Sequence, residues 1–158
     1  MITSHGRFRN LAELAKHVGQ EIGVSHWTTI TQDQINQFAI TTGDEQWIHI
    51  DPKRCEVESP YKKPIAHGFF VLSLASKLCH ESYRVDSVVM AVNYGLDKVR
   101  FPHPTAVGSK MRARVALHDM TERDAGTLLK LNVVFELEDV SKPACVAEWL
   151  ILLYEKTI

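Results

Sequence analysis

The spacing of apolar residues changes from helical to alternating once along this chain, shortly after residue 83. Before the change, Asn10-LAELAKHV-Gly19 reads as a short helix with Asn10 as N-cap and Gly19 past its end. Ser25–Ile30 is short and β-prone. Thr31 and Gln34 then form a capping-box pair for a second helix, Ile35, Phe38 and Ala39 supply its apolar stripe, and Gly43 stops it. Asp51-Pro52 marks another helix start, with Asp51 at N-cap and Pro52 in the first turn, and Ser59-Pro60 ends it. From Gly68 to Tyr83 the chain is apolar on nearly every face of a helix, the signature of one that is wrapped by other structure.

Beyond that helix the period is two. Strands are expected at Val88–Phe101, Ser109–Thr121, Thr127–Glu138 and Cys145–Glu155. In the third, Leu131, Val133, Phe135 and Leu137 alternate with Lys130, Asn132, Val134 and Glu136. The short polar connections Glu122–Gly126 and Asp139–Ala144 make the last three strands an antiparallel meander. A sheet curling around one apolar helix meets both burial demands, which is an α+β arrangement. The expectation is one domain over residues 1–158, with residues 1–24 as an N-terminal helical extension. Strands of about 11 residues leave a long edge to cover, so a homodimer sharing the sheet is expected. The apolar residues on both faces of Cys145–Glu155 point the same way.

Composition narrows the function. A chain of 158 residues has the length of a single domain. Its net charge is −1, with 8 basic and 8 acidic residues in 1–79 and 10 and 11 in 80–158. No basic face emerges from those sums, which argues against nucleic-acid partners. The longest apolar run, Trp149–Tyr154, is far short of the roughly 20 residues of a membrane span. Cys55, Cys79 and Cys145 are odd in number and widely spaced, which fits neither a disulfide framework nor a zinc ribbon. With no apolar leader in MITSHGRFRNLAEL, the expected setting is cytoplasmic and reducing. There are eight histidines, and none of them shows metal-ligand spacing.

The chemistry concentrates in Phe38–Gly68. Asp44 follows a glycine-stopped helix and His49 comes five residues later in a loop. In a turn, two such side chains can converge on one water and exchange protons with it. The same spacing also suits a capping Asp and a hydrogen-bonded loop His, and spacing alone does not choose. Pro64-Ile65-Ala66-His67-Gly68 precedes the apolar helix. A glycine there lets a ligand approach free backbone N–H groups that attract negative charge. The competing explanation is a tight turn that needs glycine for its backbone angles.

The order G-D-x-x-x-H-x-D-P, then P-I-A-H-G before an apolar helix, resembles the MaoC-like, R-specific enoyl-CoA hydratases. Gly95-LDKVRFPHPTAVGSKMRARV is similar to the same family's F-x-x-P-V-x-x-G pattern, and the likeness covers about residues 28–120. Trp47 and the Asn93-Tyr94-Gly95-Leu96 run resemble the branch of nodulation protein N. The resemblance implies a hotdog fold, normally dimeric, and a hydratase or dehydratase of 2-enoyl and (R)-3-hydroxyacyl thioesters. It assigns the catalytic pair to Asp44 and His49, the oxyanion-hole backbone to Gly68 and a supporting serine to Ser76. The substrate would be an acyl-CoA or acyl-carrier-protein thioester, with no metal, nucleotide or flavin. Gln46-Trp47 stands where the family usually has Asn-Pro, and the bulkier, more apolar tryptophan bears on substrate shape and loop geometry.

Further assignments are secondary. His67 is a supporting residue that orders the turn, while Trp47, Asn93, Tyr94, Lys62 and Lys63 are candidate substrate contacts. Lys62 and Lys63 suit a CoA phosphate, although a solvated loop pair explains them as well. The competing functions are a hotdog acyl-CoA thioesterase and a non-catalytic acyl-thioester binder. A thioesterase carboxylate on the central helix would have to be Glu81, near its end.

Overall fold

A computed structural model describes residues 5–124 and 126–156. In chain order, β1 (Gly6–Phe8), α1 (Leu11–Ala15), β2 (Glu21–Val24) and β3 (Thr28–Thr29) come first. Next are α2 (Gln32–Thr42), α3 (Trp47–Ile50), α4 (Pro52–Glu58), α5 (Gly68–Ser73) and α6 (Ala75–Ser82). β4 (Tyr83–Val85) then leads to four long strands, β5 (Val88–Arg100), β6 (Lys110–Arg123), β7 (Gly126–Leu137) and β8 (Val140–Glu155). The main sheet is antiparallel in the order β2-β6-β7-β8-β5, with β3 also pairing with β6. This is the expected α+β hotdog, a sheet curled around a central helix.

Alternation along the strands builds the core. In β7, Leu129, Leu131, Val133, Phe135 and Leu137 are buried, and in β6 Met111, Ala113, Val115 and Leu117 face the same side. Phe70, Val71, Ala75 and Leu78 from the helix pack into that cluster. Each such large apolar side chain contributes about 1.5–3 kcal/mol on burial. The central helix departs from expectation in two ways. It is split at Leu74, whose N–H is shared between the carbonyls of Phe70 and Val71 at 3.3 Å each. One face is also open, with Phe69 75 % exposed and Ser73, Ser76, Lys77 and His80 exposed beside it. The sheet wraps the opposite face and leaves this one to solvent in the single chain.

The N-terminal region is not a purely helical extension. β2 is an integral strand of the main sheet, and β1 pairs in parallel with β4. Leu11, Leu14 and Ile22 belong to the common core. The turn between β7 and β8 is tighter than the sequence suggested, with Asp139 at φ 60° and strand structure resuming at Val140. Asp139–Ala144 is therefore mostly strand. β5 pairs with β8 alone among the described strands, so it forms an open edge.

Candidate active site

Three backbone signals set up the loop that carries the chemistry. Thr31 and Gln34 form the expected capping box at the start of α2, and Gly43 ends that helix at φ 75°. A left-handed residue there turns the chain sharply and delivers Asp44 immediately after it. At the far side, the Asp51 side chain accepts a hydrogen bond from the Arg54 N–H and starts α4. Between them, residues Trp47–Ile50 form one helical turn, α3, so His49 is not in an open loop.

The α3 turn has no side-chain N-cap and is held by tertiary contacts. The Cys55 thiol reaches the carbonyls of Trp47 and Ile48, and the Gln32 amide donates to the His49 carbonyl at 2.7 Å. The His49 ring is buried, with Nδ1 2.6 Å from the Ile65 carbonyl oxygen. A carbonyl only accepts, so Nδ1 carries the proton and Nε2 keeps a free lone pair. Burial pushes the His49 pKa below its ordinary 6.5. The Ile65 carbonyl and Asp44 oppose that shift, and His67 adds to it. The ring is therefore a neutral imidazole, ready to accept a proton near neutral pH.

Asp44 and His67 complete the cluster. A carboxylate oxygen of Asp44 and one ring nitrogen from each histidine lie within 4.8 Å of one another. One water, with two O–H donors and hydrogen bonds of about 2.8 Å, can bridge the Asp44 and His49 acceptors at that spacing. A tetrahedral ion needs both imidazole lone pairs to converge at about 2.0–2.1 Å. The two rings instead lie face to face, centroids 3.7 Å apart and planes 27° from parallel, so their in-plane lone pairs do not converge. The arrangement suits a shared water better than a metal ion.

Gly68 follows His67 as the first residue of α5. Its φ is not positive, so the turn does not demand glycine for its backbone angles. A Cβ there would lie 3.2 Å from the Phe101 ring, a few tenths of an ångström too close unless that ring shifts. As the first helical residue, Gly68 has an N–H with no intrahelical acceptor.

The remaining assigned residues lie in other places. Ser76 is exposed on α6, about 12 Å along the helix from Gly68. It lines a cavity of about 590 Å³ with Cys79, Tyr83, Asn93 and Trp149. Within one chain Ser76 faces this cavity. Asn93 accepts a hydrogen bond from the Trp149 indole N–H at 2.8 Å, and Tyr94 stands 63 % exposed on β5. Trp47 is half-buried beneath the Arg54 guanidinium, 4.4 Å from the ring centroid. Lys62 adopts φ 59° and donates to the Val57 carbonyl, while Lys63 is exposed. Gln32, Cys55 and the Ile65 carbonyl hold the site but carry no sequence signal: two are ordinary helix residues and the third acts through its backbone.

The chain belongs to the family of the MaoC like domain, which matches residues 13–136. It is 46 % identical over 145 residues to 3-hydroxyacyl-thioester dehydratase Z of Mycobacterium tuberculosis, covering 91 % of this chain and 95 % of that one. It is 42 % identical over 143 residues to nodulation protein N of Rhizobium meliloti, covering 89 % of each. The unliganded R-hydratase of Pseudomonas aeruginosa has the same fold, with a TM-score of 0.75 at 19 % identity over 94 % of this chain and 88 % of that one.

Proposed function

We propose that this protein adds water to trans-2-enoyl-CoA and removes it from (R)-3-hydroxyacyl-CoA. The observation that carries the reading is His49, fixed through Nδ1 to the Ile65 carbonyl, with a ring nitrogen within 4.8 Å of an Asp44 carboxylate oxygen. Asp44 and His49 hold one water, and His49 Nε2 takes its proton as the oxygen attacks C3 of the enoyl thioester. Electron density moves through C2 to the thioester oxygen, which the Gly68 N–H stabilises as an enolate. The pair then returns a proton to C2. One water is consumed, a C3–OH and a C2–H bond form, and the thioester bond stays intact.

The cavity beside Ser76, Asn93 and Trp149 has a mixed lining, in which Val88, Met90, Ile151 and Leu153 offer apolar contact to an acyl chain. A second copy pairing along β5 would cover Val89, Met90, Val92, Tyr94 and Leu96, which are 42–63 % exposed. Loss of enoyl-thioester absorbance from crotonyl-CoA tests the chemistry directly. Asp44→Asn and His49→Ala should each slow it by about 10²–10⁴-fold, the usual worth of acid–base assistance. Full rate in both variants overturns the site assignment. Release of free CoA thiol in step with absorbance loss would indicate thioester hydrolysis instead.

A further inference from the structure

His67 is placed in a way that ordering a turn does not explain. It is 3 % exposed and caps α5 by position, yet its side chain makes no hydrogen bond to the helix. Its ring nitrogen Nε2 lies 2.9 Å from the backbone carbonyl oxygen of Asp44, 23 residues earlier. One ring face supports the His49 ring at 3.7 Å. Phe38 of α2 packs against His67 at 5.0 Å, and Phe70 of α5 packs against Phe38 at 5.5 Å. An aromatic column thus runs from the helical core to the reacting imidazole.

The two contacts of His67 ask for different things. The carbonyl of Asp44 needs an N–H donor, and the His49 ring needs a flat, low-polarity face. Phenylalanine supplies only the face and glutamine only the donor. An imidazole supplies both, provided that Nε2 carries its single proton. Its Nδ1 is then an acceptor, buried and without a partner. Leaving that atom unpaired is costly, and a residue serving packing alone gains nothing from it.

We propose that His67 is a positioning residue for the Asp44–His49 pair, fixing the backbone of one and the ring of the other. The inference rests on the hydratase reading of that pair. His67 donates to Asp44 while it shields one face of His49 from water. The groups facing His49 are the Asp44 carboxylate, the Ile65 carbonyl and the His67 ring. Two stacked imidazoles do not readily hold two charges, so the His67 ring adds to the burial that lowers the His49 pKa.

Two variants separate the contacts. His67→Phe keeps the face and loses the donor: kcat should fall about 10–100-fold with KM little changed and the acid limb of kcat/KM in place. His67→Gln keeps the donor and opens the face: the acid limb should move up toward pH 6.5 as His49 regains water. NMR titration of the His49 ring protons in the free protein reads the same shift without substrate. An unmoved His49 midpoint in folded His67→Gln overturns the proposal. If that variant does not fold, the test passes to His67→Phe, where a kcat and pH profile matching wild type overturns it. If the midpoint moves but wild type hydrates no enoyl thioester, positioning stands and the hydratase reading falls.

Discussion

Placing a methyl group on Gly68 distinguishes a glycine kept for the fold from one kept for a ligand. The backbone there is ordinary helix, so Gly68→Ala introduces no φ strain. Alanine gains up to about 1 kcal/mol over glycine inside a helix, and less at the first helical position. Against that gain, the new Cβ would meet three Phe101 ring atoms at 3.2–3.3 Å, a few tenths of an ångström too close. Phe101 is 43 % exposed just beyond β5 and can swing outward. The two effects nearly cancel, and stability should change by less than about 1 kcal/mol, or about 2–4 °C in Tm. Activity should respond far more. A full oxyanion donor is worth about 10²–10³ in kcat, and even partial displacement of the N–H should lower enoyl-CoA hydration by about tenfold or more. Thermal melts by circular dichroism and turnover of crotonyl-CoA measure the two quantities on the same sample. Relieving the crowding with Phe101→Ala in the same chain should not restore the rate. Wild-type turnover in Gly68→Ala would refute the oxyanion role, and rescue by the double variant would reduce the effect to crowding.

Other consequences are as direct. Because burial holds the His49 pKa below 6.5, the acid limb of kcat/KM should fall below that pH, as a pH–rate profile would show. The same depression makes the folded state bind fewer protons than the unfolded chain, so this residue's effect on stability turns unfavourable as pH drops below about 6.5. Glu136 accepts from Arg112 at 2.7 Å and Arg114 at 3.0 Å; burial raises its pKa, but the two guanidiniums outweigh burial and hold it below 4.5. Glu136→Ala should cost about 1–2 kcal/mol at pH 7 in chemical denaturation, discounted for partial exposure. That difference should persist above about pH 4.5 and vanish as pH falls through the lower folded value. Val92→Lys on the open edge should shift size-exclusion elution toward the single chain while far-ultraviolet circular dichroism keeps its strand signature.

Much of the architecture was legible because its determinants are local. The Thr31–Gln34 box, the Gly43 stop and the Asp51-Pro52 start each fix a helix end within four residues, and all three occur as read. The period-two run of β7 needs only its own twelve residues to declare a buried face. Less legible elements depend on partners distant in sequence. Gly6–Phe8 is too short for alternation to register, and its parallel pairing with Tyr83–Val85 exists only in the folded chain. α3 lacks a capping side chain and owes its turn to Cys55, Gln32 and the 64–66 segment. Within the site, the proximity of Asp44 and His49 followed from motif order. The bond from His67 to a backbone carbonyl did not, because a carbonyl looks the same at every residue. Ser76 is assigned by family likeness alone; it lies about two helical turns beyond Gly68 and lines the cavity with Asn93 and Trp149.

The bonds that orient the pair end mostly on main-chain oxygens: His49 on Ile65, His67 on Asp44 and Gln32 on His49. The 64–66 segment is itself stitched by main-chain bonds, Ile65 N–H to Ile48, Ala66 N–H to Thr105 and Val107 N–H to Pro64. None of these bonds specifies a side chain at the accepting residue. An alanine scan would therefore pass over half of the scaffold, and replacing a peptide by an ester unit would be needed to probe it. The same property leaves residues such as Ile65 free to change in evolution, so substrate preference can drift around the imidazole while its aim is inherited from the backbone.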